Sequence, residues 1–263
     1  MQTEKVVDHI VNWLKDYATA ANIKGFVLGI SGGVDSAVVS ALCARTGLRT
    51  LCLELPIHQH RIQVDLAKNH ITSLQNHFAN VSSLEVNLTP VFEEFKKAVP
   101  LVQESEFLNL TLANTRARLR MSTLYYFAGL HSYLVAGTGN KIEDFGVGFF
   151  TKYGDGGVDL SPIADLLKSE VFELARFLNI NREIQKAEPT DGLFEDSLSD
   201  EDQIGASYDE LEWAMKMQKN GKKPSDFKGR EFEVYKIYTR LNSINQHKMK
   251  AIPVCKIPVH LKN

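Results

Sequence analysis

Cysteine is scarce in this chain, and its pattern excludes a good deal. The three cysteines, Cys43, Cys52 and Cys255, are odd in number and show no C-x-x-C spacing. That argues against a disulfide framework and against a cysteine zinc site. Cys43 and Cys52 stand in apolar stretches, as buried thiols do, so a reducing cytoplasm is the expected compartment. Long hydrophobic runs are missing too. None approaches the roughly 20 residues that a membrane-spanning helix needs. Met1-Gln2-Thr3-Glu4-Lys5 leads into an amphipathic pattern rather than the apolar core of a secretory signal. Charge of one sign is not in excess: formal net charge is −2, which leaves no bulk basic field for nucleic acid. The chain is therefore expected to partner neither membrane nor nucleic acid. Nucleophile constellations are absent as well. There is no G-x-S-x-G, no H-E-x-x-H and no cysteine with an evident histidine partner.

What is present centres on Gly29-Ile30-Ser31-Gly32-Gly33-Val34-Asp35-Ser36. The apolar run Phe26-Val27-Leu28 leads in, and a helical pattern, Ala37 to Ala44, leads out. Strand, glycine-rich turn and helix in that order leave backbone N–H groups unpartnered at the positive end of the helix dipole. Such a place suits a phosphate. Gly32 and Gly33 permit positive φ and close approach of a ligand. Ser31 and Ser36 add hydroxyl donors. Asp35 would repel a phosphate unless a cation lay between, so the loop reads as a phosphate cradle with a built-in Mg²⁺ ligand. Two common phosphate loops do not fit: G-x-x-x-x-G-K-[ST] is absent, and so is G-x-G-x-x-G. A ligand-free β–α turn is the plainer alternative, and the crowding of glycine, serine and aspartate argues against it.

The 263 residues, 44% of them hydrophobic, suffice for one large α/β domain. Val6, Val7, Ile10, Val11, Leu14 and Tyr17 recur at helical spacing. Strands are expected over Lys24–Ile30, Thr50–Leu55, Ser83–Leu88 and Ser132–Ala136, with helices between them. The near-continuous apolar character of the second strand suits a parallel sheet buried on both faces. The alternation predicts an α/β fold, a doubly wound, mostly parallel sheet flanked by helices, with ligands at the C-terminal strand ends. Asp144 to Pro162 is glycine-rich and aperiodic, as functional or mobile loops are. Helices over Leu166–Leu178, from about Ile204 to Met217 and over Glu231–His247 form a helical C-terminal extension. No linker or repeat divides residues 1–263, so one domain is expected.

Four further stretches could carry chemistry. Gly137-Thr138-Gly139-Asn140 ends the fourth strand, and Glu143 follows it. In a doubly wound sheet that places Glu143 opposite Asp35, as a second metal carboxylate or as a helix N-terminal acid. Arg116, Arg118 and Arg120 lie on one helix; Arg116 and Arg120 share a face and Arg118 points away. They are either solvated cations or, for at least one, a bidentate anion ligand. Thr151 to Asp159 packs Lys152, Asp155 and Asp159 among glycines, with Lys168 beyond, and looks like a substrate loop. His247-Lys248 is a charged helix end. With no nucleophile, the chemistry has to come from nucleotide, metal and electrostatics.

Taken together, these segments resemble the ammonia-dependent NAD synthetases, which belong to the ATP pyrophosphatases with an S-G-G-x-D-S loop. The loop alone is shared with GMP synthetase, asparagine synthetase and tRNA-thiolating enzymes. Ala117-Arg118-Leu119-Arg120-Met121, Gly137-Thr138-Gly139-Asn140 with Glu143, and Gly148 through Leu160 separate the NAD synthetases from these, with Lys168, Pro189-Thr190 and His247-Lys248 also matching. The resemblance implies an adenine-nucleotide α-hydrolase-like fold. It implies that ATP lies on Gly29, Ile30, Ser31, Gly32, Gly33, Val34, Asp35 and Ser36, with Thr138, Lys168 and Thr190 as further contacts. Asp35 and Glu143 would hold Mg²⁺. Arg118, Lys152, Asp159, His247 and Lys248 would contact deamido-NAD (nicotinate adenine dinucleotide). Its nicotinate carboxylate would attack the α-phosphate of ATP, giving an adenylate and pyrophosphate; ammonia would then displace AMP. Asp155 is assigned to position or deprotonate the ammonia. A homodimer, with deamido-NAD across its interface, is implied as well. The segment Asp191 to Asp200 departs from the family's usual pattern, which loosens the assignment of Thr190. The alternatives are a tRNA thiolase, which would need a relay cysteine and a basic surface, and a non-catalytic ATP-binding sensor, which would not need Glu143, Lys152 and Asp159.

Overall fold

The structure, a computed structural model, describes residues 1–100, 106–187 and 199–262. It begins with α1 (Thr3–Ala20), β1 (Gly25–Gly29), α2 (Val34–Arg45), β2 (Arg49–Glu54), α3 (Arg61–His77), β3 (Val81–Glu85), α4 (Thr89–Ala98), α5 (Leu108–His131) and β4 (Tyr133–Val135). A π-helix, Ile142–Val147, follows, then α6 (Lys168–Phe177), α7 (Arg182–Lys186), α8 (Asp200–Ile204), α9 (Tyr208–Lys219), α10 (Gly229–Ile244) and α11 (Gln246–Met249).

The four strands form one parallel sheet in the order β3-β2-β1-β4. Strand order reverses at β1, which has β2 on one side and β4 on the other. The crevice outside the C-terminal end of β1 is therefore the switch point where ligands bind in such sheets. Side chains alternate across the sheet. Phe26 and Leu28 enter a core shared with α1, α2 and α6, whereas Val27 enters a second core. That second core includes Phe92 of α4 and Ala128 of α5. Helices on both faces are what the continuous apolar strands required. The first helix shows why it docks: Val7, Ile10, Leu14 and Ala18 are buried at helical spacing along one stripe. Val7, Ile10 and Leu14 each contribute about 1.5–3 kcal/mol on full burial, the single methyl of Ala18 less. By contrast α2 is buried on nearly every side from Val34 to Ala44, because α1, α3 and α6 surround it against the sheet.

A third core lies beyond the sheet. Leu211 and Ala214 of α9 pack with Val234, Tyr235 and Tyr238 of α10, and with Ile142 and Val147 of the π-helix. The expected helical extension is thus a packing unit of its own.

Three sequence expectations shift. The third strand runs Val81–Glu85, because Thr50 pairs with Val81 and Glu54 with Glu85. The apolar Val86 and Leu88 belong to the following turn, where the Leu88 N–H donates to the Pro56 carbonyl at 3.0 Å. The aperiodic stretch after Lys141 contains the π-helix, a wide turn that linear periodicity does not reveal. The helix expected from about Ile204 begins at Tyr208, since Gly205 at φ +86° ends α8.

Candidate active site

The phosphate loop connects β1 to α2 at the switch point. Gly32 has φ +88°, and a Cβ there would lie 2.7 Å from the Gln63 carbonyl oxygen. Gly33 is extended, at φ −86° and ψ 161°, and stands at the N-terminal cap of α2. Of the two glycines expected to supply positive φ, only Gly32 does. The serines also shape the loop from within. The Ser36 hydroxyl donates to the Gly33 carbonyl at 3.0 Å and accepts from the Ser31 N–H at 3.3 Å. The Ser31 hydroxyl oxygen accepts from the Gly33 N–H at 3.2 Å. The first N–H groups of α2 have no partner inside the helix, and the loop that carries them lines a cavity of about 280 Å³.

Four residues from three distant parts of the chain meet at the mouth of that loop. Lys168, at the start of α6, places its Nζ 2.5 Å from Asp35 Oδ2 and 3.2 Å from Glu143 Oε1. Its side chain is only 4% exposed, and those of the two acids 16% and 17%. Burial opposes the charge on Lys168, but Asp35 and Glu143 outweigh it and hold the ammonium above its ordinary pKa. Asn140, wholly buried, organises both acids. Its Nδ2 donates to Asp35 Oδ1 at 3.3 Å, and its Oδ1 accepts from the N–H groups of Ile142 and Glu143. These bonds tie the first two residues of the π-helix to the residue that also holds Asp35. The sequence expectation that Glu143 faces Asp35 across the strand ends is met.

The donor set fits Mg²⁺. Two carboxylates facing one another across a buried cation offer hard oxygen ligands. Among the described residues no cluster of three or more acidic, His or Cys side chains forms a metal cage. Mg²⁺ needs none, because it is commonly held by one or two carboxylates, substrate phosphates and water.

Several neighbours were not legible beforehand. The Tyr208 hydroxyl donates to Glu143 Oε1 at 2.6 Å, and its ring lies 4.6 Å from Lys168 Nζ. Asp144 lines the cavity, with its carboxyl set directly over the Cα of Gly139. Burial, with Glu143, Asp155 and Asp35 adding repulsion, pushes its carboxyl up to about 8. At the other end of the cavity Arg120 donates through Nε to the Leu55 carbonyl at 3.0 Å and through Nη2 to Gln59 at 2.8 Å. Arg116 stacks over the Phe92 ring at 4.8 Å. Both arginines are packed inward, and Arg118 alone of the three is exposed.

Thr138 and Asp155 line the same cavity as the loop and Lys168. Asp155 Oδ1 accepts the Thr151 N–H at 3.0 Å; surrounding protein pushes the carboxyl up to about 6 against that bond. The residues expected at deamido-NAD stand outside the cavity. Arg118 Nη2 donates to the Lys152 carbonyl at 3.4 Å, and Lys152 Nζ donates to the His247 carbonyl. Lys248 Nζ donates to the carbonyls of Gly148 and Phe150 at 2.9 and 2.8 Å. These four form one neighbourhood. Asp159 stands apart, accepting from the Val135 N–H at 2.8 Å and the Tyr125 hydroxyl at 3.0 Å. Thr190 lies outside the described residues.

A phosphate loop, two facing acids and a shared lysine thus stand together at the switch point, and the sequence comparison says which family carries them. Residues 6–252 match the family model described as NAD synthase. The chain belongs to the NAD synthase family. Members of that family are amide-forming ligases. One relative, the NH(3)-dependent NAD(+) synthetase of Carboxydothermus hydrogenoformans, is 39% identical over 210 residues, covering 80% of this chain and 84% of its own. Among solved structures, NMN synthetase from Francisella tularensis superposes with a TM-score of 0.85 at 30% identity, covering 98% of this chain and 100% of that one. The NH3-dependent NAD synthetase from Campylobacter jejuni, solved with a nitrate ion, gives 0.78 at 25% identity, covering 97% and 100%. NAD synthase membership answers the tRNA-thiolase alternative, and no helix of the described residues is long and apolar enough to cross a membrane.

Proposed function

We propose that this chain converts deamido-NAD to NAD, using ATP and free ammonia, through an adenylated intermediate. The observation that carries the reading is the Asp35–Lys168–Glu143 constellation at the mouth of the phosphate loop in a NAD synthase chain. The loop from Gly29 to Ser36 holds the triphosphate on the N-terminus of α2, and Thr138, Lys168 and Thr190 are assigned as further ATP contacts. Asp35 and Glu143 hold Mg²⁺, which when bound offsets phosphate charge as the nicotinate carboxylate approaches. Two anions must meet in this reaction, so fixed cations and aimed N–H groups lower the barrier by pre-organisation. Lys168 holds its charge in place for the leaving pyrophosphate. Arg118, Lys152, Asp159, His247 and Lys248 hold the nicotinate nucleotide, and Asp155 positions the ammonia or takes its proton. A carboxyl raised to about 6 is near the range in which a general base works. We further read residues 1–263 as one domain, working as a cytoplasmic homodimer.

The decisive experiment incubates purified protein with deamido-NAD, ATP, Mg²⁺ and ammonium. NAD, AMP and pyrophosphate should appear in equal amounts, and Asp35→Ala should abolish pyrophosphate release. No NAD from the wild type would sink the proposal. A second reading has a specific observation behind it: the NMN synthetase named above aligns over nearly all of both chains. Nicotinate mononucleotide carries the same reacting carboxylate. Comparing kcat/KM for the mononucleotide and the dinucleotide decides between the two.

A further inference from the structure

Among the described residues the Glu143 side chain carries two hydrogen bonds, and both fall on one oxygen. Oε1 accepts from Lys168 Nζ at 3.2 Å and from the Tyr208 hydroxyl at 2.6 Å. Oε2 accepts no hydrogen bond among the described residues. Tyr208 is itself held from several directions. It is the first residue of α9 and only 5% exposed. Its N–H donates to Glu201 Oε1 at 2.8 Å. The helix start is fixed by a capping box between Ser207 and Glu210, and Arg230 grips Glu210 with two bonds of 2.7 Å. The hydroxyl also comes within 3.4 Å of Asp200 Oδ2. The phenol is therefore anchored by the C-terminal helices while its one proton points at a carboxylate of the catalytic cluster.

We propose that Tyr208 is a positioning residue for the metal: its hydroxyl pins Oε1 of Glu143 so that Oε2 is presented to a divalent cation opposite Asp35. The phenol acts only through Glu143. Groups that orient a metal ligand in this way alter metal affinity by about 10–100-fold when removed. This proposal rests on Glu143 being a metal ligand, as read above, so the test separates the two.

The probe is Mn²⁺ in the presence of a non-hydrolysable ATP analogue, with the free ion followed by electron paramagnetic resonance. Tyr208→Phe keeps the ring against Lys168 and removes only the hydroxyl. It should weaken Mn²⁺ binding about tenfold and raise the Mg²⁺ half-saturation of the full enzyme equally, leaving the nicotinate substrate's KM within about twofold. Tyr238→Phe, a buried tyrosine of the same helical core whose hydroxyl makes no hydrogen bond among the described residues, is the control and should bind Mn²⁺ as the wild type does. Melting temperatures confirm that both variants fold. If Tyr208→Phe bound Mn²⁺ with wild-type affinity, or if both tyrosine variants weakened alike, the proposal is overturned. Glu143→Gln supplies the separation. Loss of Mn²⁺ binding there with retention in Tyr208→Phe refutes the tyrosine's role alone. Retention in both refutes the metal assignment of Glu143 as well.

Discussion

Replacing Lys168 with methionine tests whether the cluster is held by its own cation. Methionine preserves much of the stem's volume and removes the charge. In the native site the ammonium stands 2.5 Å from one carboxylate and 3.2 Å from another, with its side chain 4% exposed. Taking one partner from a buried ion pair costs about 3–5 kcal/mol, because the remaining charges stay buried and unpaired. Here the two acids would also face each other directly. A chain of this size loses about 2–4 °C of melting temperature per kcal/mol, so the variant should melt roughly 6–12 °C below the wild type, read at the lower energy. The sharper half of the prediction concerns Mg²⁺ without nucleotide. Lys168 already occupies the space between the acids, so millimolar Mg²⁺ should barely move the wild-type melt. In Lys168→Met the vacated space is open to the ion, and Mg²⁺ should restore a large part of the lost stability. Differential scanning fluorimetry at pH 8, with and without Mg²⁺, reads both effects. A variant melting within about 2 °C of the wild type, or an equal Mg²⁺ shift in both proteins, would refute the reasoning.

Three further outcomes are expected. His70 is buried against the Ser40 hydroxyl at 2.8 Å, and burial lowers its pKa to about 4. Its neutral form is favoured in the fold, so its stabilisation is complete above pH 6.5 and is lost as pH falls toward 4; about 2 kcal/mol should vanish between pH 7 and pH 5, and His70→Asn should show a smaller acid loss in urea melts. Gly32→Ala combines a left-handed φ with a 2.7 Å approach to the Gln63 carbonyl, so ATP binding measured by calorimetry should fall more than tenfold while the helices remain by circular dichroism. Gly139→Ala would set a Cβ 2.1 Å from Asp144 Oδ1; the single variant should lose ATP affinity, and adding Asp144→Ala should recover part of it, a non-additivity that a double-mutant cycle measures.

The phosphate loop could be read from the chain because its chemistry is local: strand, glycines, hydroxyls and acid are contiguous. Glu143 could be placed because topology brings strand ends together, whatever their separation in sequence; Lys168 is expected at ATP through the resemblance alone, and its seat between the two acids was not legible. The parts that escaped depend on long-range contacts between ordinary residues. Tyr208 reaches Glu143 from 65 positions away, and Asn140 reaches Asp35 from 105. Nothing in a lone tyrosine after a serine cap announces a carboxylate partner. The glycine pair misled for the opposite reason. Two permissive residues in a row do not say which one is bent; the backbone, at φ +88° for Gly32 and −86° for Gly33, puts the bend at Gly32. The third strand slipped toward its apolar end because Val86 and Leu88 look like strand residues, although pairing with β2 selects Val81 to Glu85.

The two acids that frame the cation belong to different packing units. Asp35 starts the helix buried against the sheet, whereas Glu143 sits on a wide turn rooted in the core of α9 and α10. Their separation is thus set by how those two units seat against each other. Substitutions in the helical layer, far from nucleotide and substrate, can widen or narrow the gap without altering any residue that touches them. On the proposed reading of both acids as Mg²⁺ ligands, such substitutions would adjust metal demand while the phosphate loop stays unchanged. The loop would then be the wrong place to look for such adaptation, and the contacts around Tyr208 the right one.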